Sequence, residues 1–381
     1  MRATAVSTTL DVVWDLVVIG AGPAGASAAL GALAVDPTLS VLLLDRHGFP
    51  RDKACGDGIA PHVFDLLAEV GVTGIVDDWT PVRRFALTRG EVGVDRDMAR
   101  PNWVVPRTVF DQRLAEAAQA AGADLVRRRV RGIQVADRSI TVDGELEARF
   151  VVGADGAHSV VRRDLGVKAG PVALAIRGYA PTPPGRAASQ VIAYGPGRQP
   201  SYAWSFDRGD GWSNVGYGEQ LTTGRPTRAD LLANLEALLP GATDGGTSWW
   251  GHHLPLSSWF WRPQPGPVML AGDAAGLINP MTGEGIYYAV ATGLLAGRAV
   301  AAALHKDSAD AGTSYRRQTN RLLGQHLRHT ALTAQLTRSG PVLDAGIRAA
   351  AADQAIFDDL VELGLADGLI TRRLLRGLVN S

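Results

Sequence analysis

The stretch Leu16-Val17-Val18-Ile19-Gly20-Ala21-Gly22-Pro23-Ala24-Gly25 constrains the fold more than any other: an apolar run turns, through closely spaced glycines, into an Ala-rich series of helix formers. In such a strand–turn–helix, Gly20 permits the tight turn and Gly22 lets the backbone approach a pyrophosphate. Gly25 lets helix and strand pack closely, and the helix N-terminus faces the anion. A second run, Val41-Leu42-Leu43-Leu44, ends in Asp45 and Arg46, so that a carboxylate is placed to accept hydrogen bonds from a ribose hydroxyl. The bland alternative is a Gly/Ala-rich turn that binds nothing; strand, helix and acid in register argue against it.

Two further glycine motifs follow apolar runs: Gly153-Ala154-Asp155-Gly156 after Phe150-Val151-Val152, and Gly272-Asp273-Ala274-Ala275-Gly276 after Val268-Met269-Leu270-Ala271. In this order and spacing the three motifs read as one FAD-binding domain that the chain leaves and re-enters. The expected fold is α/β, with FAD as cofactor. From about residue 170 to 265, Gly, Pro, Ser and Trp rise and β-type alternation replaces βαβ spacing, which predicts an inserted antiparallel sheet. The expected division is 1–168 for the first part of the FAD-binding domain, including the cysteine segment, and 169–265 for the β substrate domain. The return to the FAD-binding domain spans 266–310, and 311–381 form a helical C-terminus. A helix beginning near Gly285, in Pro280-Met281-Thr282-Gly283-Glu284-Gly285-Ile286, would aim backbone N–H groups at the flavin ring, where negative charge accumulates on reduction. Gly272, Asp273, Gly283, Gly285 and Ile286 are therefore cofactor candidates.

Composition narrows the function classes. With 38 basic and 38 acidic residues among 381, nothing suggests a nucleic-acid groove. One cysteine, Cys55, excludes an internal disulfide and fits a reducing, cytoplasmic setting. The N-terminus offers no apolar stretch of secretory length before the first strand. His47, His62, His252 and His253 lack metal-ligand spacing, so no metal is expected. Gly285 to Leu304 is apolar enough to suggest a membrane span, but Arg298 interrupts it, and a buried helix is the better reading. Apolar stripes at Leu360, Val361, Leu363, Leu365 and Leu369-Ile370 leave peripheral membrane contact open beside a core or dimer face. Only three lysines accompany the many arginines, which hints at a GC-rich genome and, from that alone, a role in secondary metabolism.

Within the insertion, Tyr202-Ala203-Trp204-Ser205-Phe206-Asp207 leads through a turn at Arg208-Gly209-Asp210-Gly211 into Trp212-Ser213-Asn214-Val215-Gly216-Tyr217-Gly218, a hairpin pattern. Tyr202, Trp204 and Phe206 share a face by period two; with Gly216 and Gly218 opposite, they would form an apolar wall with space against it. Ordinary sheet core is the alternative. Arg127-Arg128-Arg129 and Arg131 lie on an alternating strand pair and read as a solvated face, a phosphate contact being the other reading.

The Asp155-Gly156 segment resembles that of flavoprotein hydroxylases and reductases, the para-hydroxybenzoate hydroxylase-like fold, in which it lies beside the flavin. The resemblance implies that Asp273 bonds a ribityl hydroxyl. It implies that Arg107, after Trp103-Val104-Val105-Pro106, reaches the flavin phosphates, a surface salt bridge being the alternative. The aromatic hairpin and Lys53-Ala54-Cys55-Gly56-Asp57-Gly58 together resemble the geranylgeranyl reductase family of FAD-dependent oxidoreductases, related to group A flavoprotein monooxygenases. Those reductases saturate C=C bonds of prenyl chains with reduced FAD. This implies a terpenoid-type substrate, with hydride passing from flavin N5, and an electron donor that is NAD(P)H or a separate redox partner. It also places Cys55, Gly56 and Asp57 beside the flavin. Cys55, on a partly cationic loop, is either a small buried hydrophobe or an acidified thiol that passes a proton to substrate. Asp57 would tune the ring or a proton path.

One departure stands out: Asp207 occupies a position where that family has Pro. With nine tryptophans, including Trp249-Trp250 and Trp259-Phe260-Trp261, it keeps a second chemistry open. This is an FAD-dependent monooxygenase that hydroxylates or epoxidises an aromatic, indole-type or polyene substrate through a flavin hydroperoxide. A third reading is a flavin-dependent sensor or terpenoid carrier.

Overall fold

A computed structural model describes residues 12–136, 139–197, 199–222, 224–259 and 261–380. The N-terminal stretch on which the leader expectation rests, and Phe260, lie outside them.

The strand Val13–Ile19 is the centre of the first sheet, because its apolar residues can be buried on both faces only between parallel neighbours. Val41–Asp45 and then Asp124–Arg127 add on one side, and Leu146–Gly153 on the other. Val268–Leu270 pairs parallel with Leu146–Gly153, which is where the chain re-enters the sheet. Ile19 pairs with both Leu44 and Gly153, and Gly153 with Leu270, so the strands that deliver the three glycine motifs and Asp45 end side by side. Ligands of open parallel sheets bind at such carboxyl ends. Two short strands, Ile133–Val135 and Ile140–Val142, extend the sheet antiparallel.

The helices Pro23–Leu33 and Ile286–Leu304 cross in near backbone contact. A Cβ on Gly293 would lie 2.2 Å from Ala24 O, and one on Gly297 2.0 Å from Ala28 O. This small-residue crossing, not a bilayer, is what the apolar 286–304 segment serves: 83% of its most apolar window is buried, and Arg298 pairs with Glu69 at 2.9 Å.

The second sheet runs Thr247–Pro255, Val172–Pro181, Trp212–Gln220, Ser201–Asp207, Ser189–Tyr194, Pro81–Arg89, Val92–Val104, Gly58–Ile59. The antiparallel sheet expected over 169–265 is present, and the rest of the chain extends it in two ways. Three of its strands come from before residue 105, and Ser189–Tyr194 pairs parallel with Pro81–Arg89. Without that earlier hairpin, Ser189–Tyr194 would be an unpaired edge. The helix Arg228–Leu238, opened by a Thr227/Asp230 capping box, covers one face through Leu231 and Leu235. The helices Gly340–Ala352 and Gln354–Leu365 cover the other, where Leu343, Ile347 and Phe357 pack on Phe85, Ile192 and Trp204.

Candidate functional site

One cavity of about 810 Å³ joins the strand ends of the first sheet to the aromatic face of the second. Its volume lies in the ~300–1,000 Å³ range of small-molecule and cofactor sites. The fold brings most of the sequence candidates to its wall: Gly20, Gly22, Pro23, Ala24, Asp45, Arg46, Cys55, Gly56, Asp57, Arg107, Asp155, Gly156, Asp273, Gly283, Gly285, Ile286, Tyr202, Trp204, Phe206 and Gly218. Ala21, Gly25, Gly216 and Gly272 lie behind it. Ala21 donates its N–H to Asp45 at 3.0 Å, a Cβ on Gly25 would sit 1.7 Å from Gly20 O, and one on Gly272 would press on Ala24 and Ala289.

At the nucleotide end, the helix Pro23–Leu33 starts from Gly22 with no side-chain cap and no acid in its first turn, leaving a helix N-terminus open to an anion. Arg51 is the cation nearest that loop. It pairs with Asp111 at 3.0 Å and approaches Asp45 at 3.5 Å, and sequence reasoning did not single it out. Arg107 does not lie on the surface. It is buried and forks onto Asp111 at 2.6 and 2.7 Å. Of the arginine cluster, Arg128 is held by Glu145 at 2.8 Å and, with Arg129, reaches the far nucleotide end of the cavity.

Around the ring site, Asp155 caps the helix Val160–Asp164 through Val160 N–H at 2.6 Å, while its other oxygen, Oδ1, is buried and unpartnered. Burial raises its pKa. Asp273 takes Lys53 Nζ at 2.7 Å; although burial opposes it, Lys53 holds this carboxyl below the usual range. Lys53 is thus paired with Asp273, and its charge only partly offsets burial at Cys55. Burial pushes that thiol up, which speaks against the acidified of its two sequence readings. A second correction concerns the helix Ile286–Leu304. The Glu284 carboxylate already accepts its first amides, Tyr287 N–H at 2.8 Å, and burial lifts Glu284 to about 7. The open dipole expected there is capped by an acid that the glycine pattern concealed.

The aromatic triplet shares a face as expected, with Tyr202 and Trp204 rings 6.1 Å apart and Tyr194 edge-on to Tyr202 at 5.8 Å. The two glycines opposite differ. A Cβ on Gly216 would lie 2.2 Å from the Trp204 ring, so Gly216 seats the indole and leaves no room, whereas Gly218 faces the cavity. The Cys55 loop lies against this wall: a Cβ on Gly56 would touch Phe206 at 3.4 Å and Trp204 Nε1 at 3.7 Å. Asn214 ties the two together, accepting from Trp204 Nε1 at 2.8 Å and donating to Cys55 O and Asp57, both at 2.8 Å. Asp207 points elsewhere. It accepts from Thr182, Gly209 and Ala188 and pins the hairpin end, so its departure from the family pattern is a structural matter. Trp249 packs beside Gly178 and Gly246, and Trp250 stands exposed at the rim.

An uncapped helix N-terminus, glycines at the strand ends and the carboxylates of Asp45 and Asp273 on one cavity wall fit a flavin dinucleotide. Residues 14–179 match the family model described as an FAD binding domain. The menaquinone reductase of Mycolicibacterium smegmatis is 32% identical over 333 residues, 74% of this chain and 75% of that one. The digeranylgeranylglycerophospholipid reductase of Methanosarcina acetivorans is 29% identical, covering 75% of each chain. A geranylgeranyl bacteriochlorophyll reductase-like structure from Thermoplasma acidophilum superposes with a TM-score of 0.80 at 20% identity, covering 96% of both. The class is that of the FAD-dependent oxidoreductases, with an α/β FAD-binding fold, a substrate sheet and C-terminal helices. Within it, the chain belongs to the geranylgeranyl reductase family.

Proposed function

We propose that this enzyme saturates C=C bonds in the prenyl chain of an apolar lipid. The observation that carries the reading is the shared wall: the Cys55 loop and the Tyr202–Phe206 face adjoin in one cavity, which continues along Leu343, Ile347 and Leu360. The relatives named for menaquinone and for digeranylgeranylglycerophospholipid support it, since both names denote lipids bearing prenyl chains.

FAD held by the Gly20–Gly25 loop, Asp45 and Asp273 would, once reduced, supply the hydride for one alkene carbon. The chain's own residues do the rest. The aromatic face and the C-terminal helices hold an extended apolar chain and exclude water. The raised pKa of Cys55 keeps its thiol protonated at neutral pH, as a donor to the second alkene carbon requires. The π bond breaks, two C–H bonds form, and the thiol's proton goes to carbon. Reducing equivalents come from NAD(P)H visiting the cavity or from a separate redox partner.

The far end of the cavity opens between Leu336, Leu375 and Leu378, beside exposed Leu332 and Val379 and the exposed Arg338, Arg372 and Arg376. An apolar mouth fringed by cations suits the surface of an anionic bilayer as the source of substrate. Oxygen insertion loses the argument from Asp207, which is occupied in the hairpin.

The test is to reduce the flavoprotein under argon and mix it with prenyl lipids. Reoxidation without oxygen, with a product heavier by two hydrogens, is expected. Oxygen uptake coupled to a product heavier by one oxygen overturns it. Sedimentation with anionic and neutral vesicles tests the mouth: binding only to anionic vesicles, lost in Leu336→Ser/Leu375→Ser, is expected.

A further inference from the structure

Behind the Cys55 loop lies a buried polar chain that the proposed reaction leaves unused. Asp57 is fully buried and has φ +59°, a left-handed backbone that a non-glycine residue rarely adopts. Its Oδ2 accepts Tyr179 OH at 2.6 Å and Asn214 Nδ2 at 2.8 Å. Its Oδ1 has no partner, although Asp57 borders the cavity. Asn214 Nδ2 also donates to the Cys55 carbonyl at 2.8 Å, which holds Asp57 and Cys55 together on one amide. Outward from Asp57, the Tyr179 ring is flanked by two guanidinium groups, Arg177 at 4.7 Å and Arg208 at 5.0 Å, the latter reaching the partly exposed rim beside Asp210. Arg177 is in turn held by Asp52 and by Ser248 O.

A buried carboxylate with an unpartnered oxygen is costly, and placing a proton on that oxygen relieves the cost. Two acidic groups so close cannot both ionise cheaply. We propose that Asp57 reloads Cys55. After the thiol has given its proton to substrate, the Oδ1–H proton of Asp57 passes to the sulfur, and the carboxylate left behind recovers a proton from solvent along Tyr179. In each step one X–H bond breaks and one forms, with no change of oxidation state. Asp57 does not touch substrate; it acts through Cys55, and the proposal rests on the reading of Cys55 as proton donor.

Burial and the groups that face Asp57 pull in opposite directions, and burial prevails. Burial lifts its carboxyl to about 6, against the Tyr179 and Asn214 hydrogen bonds and the charges of Arg177 and Arg107. Burial, and then the Asp57 charge, raise Cys55, while Arg107 and Lys53 oppose them.

Because Cys55 is the single cysteine, its alkylation by iodoacetamide reports one site on the intact holoprotein. Asp57→Asn keeps an acceptor for Tyr179 and Asn214 but removes the charge. At a fixed pH below the thiol pKa, alkylation should quicken about tenfold, since the thiolate is the nucleophile. Tyr179→Phe, which strips one donor from the carboxylate and keeps Asp57 protonated to higher pH, should move the rate in the same direction by less. An alkylation profile unchanged in both variants overturns the coupling, whatever the substrate proves to be. In stopped-flow mixing with substrate, Asp57→Asn should keep the first turnover and slow later ones. A first turnover slowed as much as the later ones overturns the reloading role. A protein that shows the alkylation shift but is never reoxidised by any alkene sinks the reductase reading and leaves the coupling standing.

Discussion

Around the first glycine loop, an added methyl group would meet backbone: 1.7 Å from Gly20 O at Gly25, 2.2 Å from Ala24 O at Gly293. Around Trp204, by contrast, the neighbours of the cavity are side chains from distant stretches, among them Phe85, Ile192, Leu343 and Phe357. The cradle is backbone against backbone, which leaves little latitude, so its shape recurs with a recognisable short pattern. The chamber is filled by interchangeable apolar side chains, which leaves its shape free to follow a substrate.

The comparison is most open to breakage at Gly25. Gly25→Val should cost more than about 4 kcal/mol, because the clash is with backbone that cannot move aside. No yellow soluble protein should be recovered, and a holoprotein with normal flavin content would refute the rigid-cradle account.

Phe357→Ala, which empties a fully buried site facing Phe85 at 6.4 Å, should lower stability by about 3–5 kcal/mol through the chamber alone. Flavin should remain bound under native conditions while substrate-driven reoxidation weakens. Concerted loss of both would mean that the regions are one cooperative unit.

Glu284 gives a pH signature on the cradle side. Its carboxyl is lifted from 4.5 to about 7 by burial, so its stabilising contribution is complete below about pH 4.5 and is lost as pH rises through about 7. Urea midpoints of the apoprotein should fall by the equivalent of about 3 kcal/mol across that window, and Glu284→Gln should flatten the fall. An unaltered slope would remove Glu284 from the account.

The smallest effect is expected at Tyr202, whose hydroxyl donates to Thr282 O across the junction of chamber and cradle. Tyr202→Phe should cost about 1 kcal/mol and raise the KM for substrate more than it changes flavin affinity. A change in flavin affinity alone would reverse the division of labour.

How much of this could be read from the chain differs with the material. The Gly20–Gly25 turn, Asp45, Asp155 and Asp273 were legible because backbone conformation and a carboxylate at a strand end are local properties. The Tyr202–Phe206 face was legible from period two. Arg51 was not, since an arginine in a loop carries no periodic signal, nor was Glu284, a single acid between two glycines. Asn214, the residue joining Trp204 to Cys55 and Asp57, sits in the quoted hairpin, yet its partners lie more than 150 residues upstream. The choice between the two readings of Cys55 was closed to the sequence for the same reason: Lys53 is its neighbour in sequence but the partner of Asp273 in space.

By itself the sequence determined the parallel sheet, the points where the chain enters and re-enters it, and the face on which the aromatic rings lie, because these follow from local steric rules and from the spacing of apolar residues. Only the tertiary structure decided which hairpin completes the second sheet, which helices close the chamber, and in which direction the carboxyls of Asp57 and Glu284 and the thiol of Cys55 are shifted. Those outcomes depend on desolvation and on charge pairs between residues far apart in the chain, and neither exists until the fold has removed water and brought the partners together.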